Sequence, residues 1–253
     1  MRFACLGSGS RGNATLIEGG GVRLLVDSGF AVRELERRLG HLGVAADTLD
    51  AVLITHEHSD HVRGIPALSR KYRLPVWMTQ GTGTAAGCVN IERPHLFNCH
   101  TGGFCIGGLR IEPYAVPHDA REPSQFVFCG DGLRFGMLTD SGHVTPHIVE
   151  RLEQCDALLL EANHDVLMLA NGPYPAFLRR RVGDAYGHLS NDQAAELLQR
   201  LDISRLRHLV AAHLSEKNNQ PERVREALLN AVPSMQERLT LASQDCSTGW
   251  MEL

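Results

Sequence analysis

Short apolar runs closed by glycine dominate the first half of the chain, a pattern of strands rather than helices. Phe3 to Gly7, Ala14 to Glu18 and Val22 to Asp27 predict strands, and Asp50 to Thr55 and Val76 to Thr79 predict two more. Phe104 to Val116, broken at Gly107-Gly108, predicts a hairpin; Phe126 to Cys129 and Leu133 to Leu138, split by Gly130-Asp131-Gly132, predict a second. Helical spacing marks Ala31 to Leu39 and Gly64 to Tyr72, where Pro66 suits a first turn. Beyond residue 145 the pattern alternates. Helices are predicted over Thr145 to Gln154, Leu178 to Val182, Asp192 to Leu201 and Glu222 to Ala231. Strands are predicted over Ala157 to Glu161, Leu206 to Ala212 and Arg238 to Ala242. Strands in both halves, each followed by helices, imply an α/β fold of two sheets packed between helical layers. No low-complexity linker interrupts residues 1–253, which read as a single domain, and the stretch from Asn171 to Pro175 reads as a loop.

Composition narrows the class. A chain of 253 residues with 43% hydrophobic and 21% charged residues is an ordinary globular protein, large enough to need no disulfide staples. The net charge of -4 excludes a surface built as a whole to grip nucleic acid and leaves only a local basic patch. The seven cysteines, Cys5, Cys88, Cys99, Cys105, Cys129, Cys155 and Cys246, form no CxxC pair. They read as reduced, buried thiols of a cytosolic protein. The first residues turn directly into a glycine-rich loop, with no signal-peptide pattern, and no apolar run nears the ~20 residues of a membrane span. The expected location is cytoplasmic.

The candidate chemistry centres on "THEHSDH", Thr55 to His61, directly after the apolar run Ala51 to Ile54. Open sheets present ligands beyond the carboxyl ends of their strands. His56 and His58, two apart in extended backbone, project to one side. Asp60 and His61 follow a turn and face a neighbouring point, so one loop can serve two ions. Imidazole and carboxylate donors suit zinc, manganese or iron better than copper(I) or calcium. The plain alternative is a solvated, histidine-rich loop. Three further candidates end apolar runs: His118, Asp140 and His213. Each alone reads as a satisfied polar residue; their shared position makes them ligand candidates.

The order "LLVDSG" (Leu24 to Gly29), "THEHSDH", "VPHD" (Val116 to Asp119), "LTDSG" (Leu138 to Gly142) and "AAHLS" (Ala211 to Ser215) resembles the metallo-β-lactamase superfamily over nearly the whole chain. The resemblance implies a four-layer αββα sandwich with two divalent metal ions, zinc or manganese with iron possible, at its edge. It implies His56, His58 and His118 on one ion, Asp60, His61 and His213 on the other, and Asp140 bridging both. Asp27 matches the acid that orients the metal loop, and reads equally as a turn aspartate before Ser28-Gly29. "GSGSRGN" (Gly7 to Asn13), "VPHDAREP", "LEANHD", "GHLSN" and "HLSEKNN" narrow the resemblance to the YycJ/WalJ family, bacterial cytoplasmic proteins linked to DNA exonuclease activity.

By that resemblance the chain is expected to be a metal-dependent phosphodiesterase, a DNA exonuclease using a hydroxide activated by the metal pair. His188 in "GHLSN" is similar to the histidine that protonates the leaving group in tRNase Z enzymes, and Glu161 to its supporting glutamate; Asp60 would steer the proton of the nucleophile. On its residues alone His188 reads as a loop histidine before a helix capped by Ser190 or Asn191. Ser8, Ser10 and Asn13 of the glycine-rich loop and Arg121 beside His118 are candidate substrate contacts. That loop reads equally as a tight hairpin turn. The run Arg179-Arg180-Arg181 is a candidate phosphate contact or a solvated helix face, and His164 has no assigned role. DNA is the expected substrate. The competing readings are a small-molecule cyclic phosphodiesterase, which needs no nucleic-acid grip, and a non-catalytic metal-binding regulatory protein.

Overall fold

The computed structural model describes residues 1–85, 91 and 93–253. Its strands, in chain order, are β1 (Arg2–Gly7), β2 (Ala14–Gly19), β3 (Val22–Val26), β4 (Ala51–Leu53), β5 (Val76–Thr79), β6 (Pro94–Phe97), β7 (Phe104–Ile106), β8 (Leu109–Ala115), β9 (Ser124–Gly130), β10 (Leu133–Leu138), β11 (Ala157–Glu161), β12 (His208–Ala212), β13 (Leu239–Leu241) and β14 (Met251–Glu252). The helices are α1 (Val32–His41), α2 (Ser59–Val62), α3 (Ile65–Tyr72), α4 (Gln80–Ala85), α5 (Pro146–Leu152), α6 (Val166–Asn171), α7 (Ala176–Val182), α8 (Asn191–Arg200) and α9 (Pro221–Ala231). The strands form two seven-stranded sheets, ordered β14-β1-β2-β3-β4-β5-β6 and β13-β12-β11-β10-β9-β8-β7.

Strand alternation builds the layers. Leu24, Val26, Ala51 and Leu53 of the first sheet meet Phe126, Phe128, Leu159 and Val210 of the second in one buried layer. The opposite faces, Leu25 and Val52, pack under Leu35 and Leu39 of α1 and Ile65 and Leu68 of α3. Leu158, Leu160 and Leu209 pack under Ile148 and Leu152 of α5, Leu197 and Leu198 of α8, and Val224 and Leu228 of α9. Three apolar layers therefore separate helix, sheet, sheet and helix, the expected four-layer αββα sandwich. Both faces of β3, β4, β11 and β12 are covered, which is why those segments read as continuous apolar runs.

Both predicted hairpins form, pairing β7 with β8 and β9 with β10. β4 is shorter than its predicted run, because the chain leaves the sheet at Ile54. The pattern missed α2, α4, β6, α6 and β14. The expectation of buried thiols holds for Cys5, Cys99 and Cys155 and fails for Cys105 and Cys246, which are exposed; Cys88 lies outside the described residues. Burial pushes the thiol of Cys5 up to about 11 and those of Cys99 and Cys155 up to about 12, so these stay unreactive. Among the described residues no helix is long and apolar enough to cross a membrane.

Candidate metal centre

β3 and β4 run parallel in one sheet, and β10, β11 and β12 run parallel in the other. Their carboxyl ends meet at one edge of the sandwich. Asp27 follows β3, Thr55 and His56 follow β4, Asp140 follows β10, Glu161 ends β11 and His213 follows β12. His118 lies in the connection from β8 to β9. The ligand loop turns at His58, whose extended backbone precedes α2, and its carbonyl accepts the N–H of His61 at 2.9 Å. That turn sends Asp60 and His61 to the far side of the cluster. Gly29 is required beside it, since a Cβ there would overlap the Asp60 carbonyl.

The structure brings all seven candidate ligands together. Donor atoms of His56, His58 and His118 lie within 4.8 Å of one another, as do those of Asp60, His61 and His213. His56 Nε2 and His118 Nε2 stand 3.1 and 3.3 Å from His58 Nδ1. Tetrahedral donors ~2.0–2.1 Å from zinc would be spaced ~3.3 Å apart, so the trio has the edge lengths of a ligand shell. Asp140 spans the two groups. Its Oδ2 lies 3.4 Å from His61 Nε2, and its Oδ1 lies 3.6 Å from His213 Nε2 and 3.9 Å from His118 Nε2. Asp140 Oδ2 and His213 Nε2 are buried without a hydrogen-bond partner. Orphaned buried polar atoms are costly, and a cation between them would satisfy both.

Electrostatics separates the groups. Burial, and then the neighbouring imidazoles His61, His118 and His58, hold His56 well below the usual histidine range; burial also lowers His118. Both rings are therefore neutral, the ligating form. On the other side burial opposes charge but the carboxylates win. Asp140 and Asp27 raise His61 well above its usual range, and Asp140, Asp60 and Glu161 raise His213 to about 10. Burial likewise opposes the charge on Asp60, yet its contacts with His213 and His61 hold the carboxyl below the usual range. This half of the site is a place where positive charge is favoured.

The supporting contacts fix each ring. Asp27 accepts from Thr55 N at 2.9 Å, Thr55 Oγ1 at 2.8 Å and His61 Nδ1 at 2.8 Å, which leaves His61 Nε2 for the cluster. His118 donates Nδ1–H to the Gly187 carbonyl at 3.0 Å. Glu161 is fully buried, and its Oε1 accepts from His188 Nδ1 at 2.8 Å and His213 Nδ1 at 3.1 Å. Its Oε2 accepts from the backbone N–H of Ser141 and of Leu189, both at 3.1 Å. Burial works against that carboxylate, and His188 and His213 overcome it, holding it below the usual range. Asp27, Asp140 and His213 all sit at positive φ, 60°, 56° and 56°, a strained backbone for these residue types that the surrounding contacts enforce.

A cleft of about 330 Å³ opens onto the cluster, lined in part by His58, Asp60, Asp140, His188 and His213. The candidate substrate contacts fare unequally. Ser10 lines the cleft. Ser8 and Asn13 are buried and turned inward, which corrects their reading as substrate donors. Ser8 Oγ accepts the His213 N–H at 2.9 Å and donates to Asn13 Oδ1 at 3.2 Å. Asn13 Nδ2 reaches Asp60 Oδ2 at 3.3 Å. Both position candidate ligands. Arg121 is exposed and outside the cleft lining; its backbone N–H donates to Glu57 at 2.7 Å. His164 is buried beside Asn163, and burial drops its ring to about 4. Sequence reading missed Asn163, whose Nδ2 donates to the His213 carbonyl at 2.7 Å, and Asp119, paired with Arg181 at 2.5 Å on the cleft wall. Asp119 was findable as the neighbour of a candidate ligand histidine. Asn163 had only its place in "LEANHD".

Comparison with known proteins agrees with this architecture. The family described as beta-lactamase superfamily domain matches residues 22–213. The exodeoxyribonuclease WalJ of Streptococcus pneumoniae serotype 2 is 36% identical over 237 residues, 91% of this chain and 87% of that one. The exodeoxyribonuclease YycJ of Bacillus anthracis is 33% identical over 228 residues, 89% of this chain and 86% of that one. The crystal structure of the metallo-beta-lactamase fold protein YhfI from Bacillus subtilis superposes with a TM-score of 0.74 at 16% identity, covering 97% of this chain and 98% of that one, a likeness of fold alone.

Proposed function

We propose, for a chain that belongs to the β-lactamase superfamily and within it to the family of the exodeoxyribonucleases WalJ and YycJ, that this metal-dependent hydrolase is a DNA exonuclease. The observation that carries the reading is the convergence of His56, His58, His118, Asp60, His61, His213 and Asp140 on one cleft that also holds the His188–Glu161 pair. We read residues 1–253 as one domain, because the two sheets share a buried layer. A cytoplasmic location fits its free thiols.

Two divalent cations fit the donor set, as zinc or manganese with iron possible. Asp27, Asp60, Asp140 and Glu161 bring four negative charges to the site, which two such ions balance with every ligating imidazole neutral. When bound, such ions lower the pKa of water toward ~7 and draw electron density from a phosphoryl oxygen. The side chains do the rest. His56, His58 and His118 hold one side of the centre and Asp60, His61 and His213 the other. Asp140 ties the sides together. Asp60, on the cleft wall, is placed to steer the proton of the attacking water. His188 gives its Nδ1 to Glu161, so Nε2 is the ring nitrogen left for the cleft. In its protonated form, with Nδ1–H on Glu161, the ring delivers the Nε2 proton to the leaving oxygen as the P–O bond breaks, help worth ~100- to 10,000-fold.

A cleft of about 330 Å³ and a net charge of -4 also suit a small cyclic phosphodiester, the second reading. Reconstituted protein offered end-labelled DNA and a cyclic nucleotide separates the two. Release of mononucleotides from DNA is the expected result. Turnover of the cyclic ester alone would transfer the assignment to the second reading. The family membership sets aside the non-catalytic regulator.

A further inference from the structure

Among the described residues, five large apolar side chains stand open to solvent: Leu96, Val166, Leu167, Phe177 and Tyr186. Four of them fall between residues 166 and 186, in α6, α7 and the loop that leads into His188. The later part of this segment, α7 and the loops beside it, forms one wall of the cleft, to which it contributes Tyr174, Leu178, Arg181 and Val182. Leu178 and Val182, four apart on α7, face inward. Phe177 stands one turn from Arg181 and shares its side of the helix. The Arg181 guanidinium holds Asp119, whose Oδ1 lies 3.5 Å from His118 Nε2. Tyr186 is tied to the same lip, since its carbonyl accepts the Asp119 N–H at 3.0 Å. Phe177 is 73% exposed and Tyr186 59% exposed, so both rings offer open faces, one a helical turn from Arg181 and the other on the loop whose backbone holds Asp119.

Clustered exposed apolar side chains mark an interaction surface. The chemistry of this one identifies its occupant. Aromatic faces beside guanidinium groups are the parts that hold single-stranded nucleic acid, with bases stacked on rings and phosphates on arginine. At about 330 Å³ the cleft has the volume of a small-molecule pocket, which suits one unpaired strand end better than a duplex. We propose that the wall formed by α7 and the loop after it is a stacking platform for the unpaired end of a nucleic-acid strand, with Phe177 and Tyr186 taking bases and Arg180 and Arg181 taking phosphates. The proposal rests on the nuclease reading and deepens it. It explains how a chain of net charge -4 holds a polyanion: affinity comes from base stacking more than from charge. Two phosphate contacts predict a shallow salt slope, about −1.4 for a single strand.

The test is fluorescence anisotropy of the metal-loaded protein with two phosphorothioate strands of equal length, one of thymidine and one abasic. Wild type should prefer the thymidine strand by about 5- to 150-fold for each ring that stacks. Phe177→Ala and Tyr186→Ala should each remove their share, and the double variant should bind both strands alike. Three results would overturn the platform. The preference survives in the double variant; both strands lose affinity equally; or the variants abolish self-association of the protein and leave the preference untouched. Failure of wild type to bind either strand would instead remove the nuclease reading, and the platform with it.

Discussion

His188 and His213 donate their Nδ1–H groups to the same carboxylate oxygen, Oε1 of Glu161, at 2.8 and 3.1 Å. One buried acid thus orients both the proposed proton donor and a candidate ligand. The two rings lie nearly parallel, 30° apart with centroids at 5.1 Å. Chemistry at the leaving group and geometry at the metal centre are therefore held by a single group, and single substitutions can separate one from the other.

His188→Ala removes the proton donor and no proposed ligand. The expected result is full metal content with turnover lowered ~100- to 10,000-fold. His58→Ala removes one vertex of the first trio and should lose both metal and activity. Elemental analysis beside a rate assay checks the pair. Equal metal loss in the two variants would contradict the division of roles.

Glu161→Gln keeps the size of the side chain but removes its charge and turns an NH2 either onto the two rings or onto the backbone N–H groups of Ser141 and Leu189, weakening the hold on both rings. Metal affinity or activity should fall ~10- to 100-fold, the usual cost of losing a partner behind a ligand. The loss should exceed that of His188→Ala in metal affinity, because Glu161, unlike His188, holds the His213 ring. Competition with a chromophoric chelator measures this, and equal affinities in the two variants would count against the shared-acid arrangement.

Asp27→Ala should destabilise the protein even without metal. It strands Thr55 N and leaves Thr55 Oγ1 and His61 Nδ1 only each other and His56 Nδ1, and a buried unsatisfied donor costs about 1–3 kcal/mol. Asparagine tolerates the positive φ of 60° at this position, so Asp27→Asn should recover part of the loss. Urea unfolding of the chelated proteins reads both effects. Wild-type stability in Asp27→Ala would refute the role given to this acid.

Metal removal should expose the charge that the carboxylates impose on His213. Its metal-free value of about 10 lies above the ordinary 6.5, so its protonation stabilises the folded state fully below pH 6.5. That contribution is lost as pH rises through about 10. Chelated protein should therefore melt lower at alkaline pH than at neutral pH. Metal must displace this proton, so uptake at pH 7 should release protons. A calorimetric titration in two buffers of different ionisation enthalpy measures that release, and none would contradict the prediction.

The strands that carry the site were legible because β3, β4, β11 and β12 are apolar on both faces and each ends at an acid or histidine. α2 was hidden inside the ligand motif, since four residues show no period. α4, with the sequence QGTGTA, offers no apolar face to find, and β14 has only two residues. Residue types announced the ligands, yet nothing local announced the left-handed backbone at Asp140 and His213, which long-range packing imposes. The direction of a side chain was equally hidden. Ser8 and Asn13 have donor groups suited to a phosphate, but the return of β12 beside their loop turns them inward to His213 and Asp60.

The most direct test is an anomalous difference map from crystals grown with manganese or zinc. The account predicts two peaks per chain, one within ligand distance of His56, His58 and His118, the other of Asp60, His61 and His213, with Asp140 reaching both. A map with no peak at this cluster, or with the ions bound elsewhere on the chain, would contradict it.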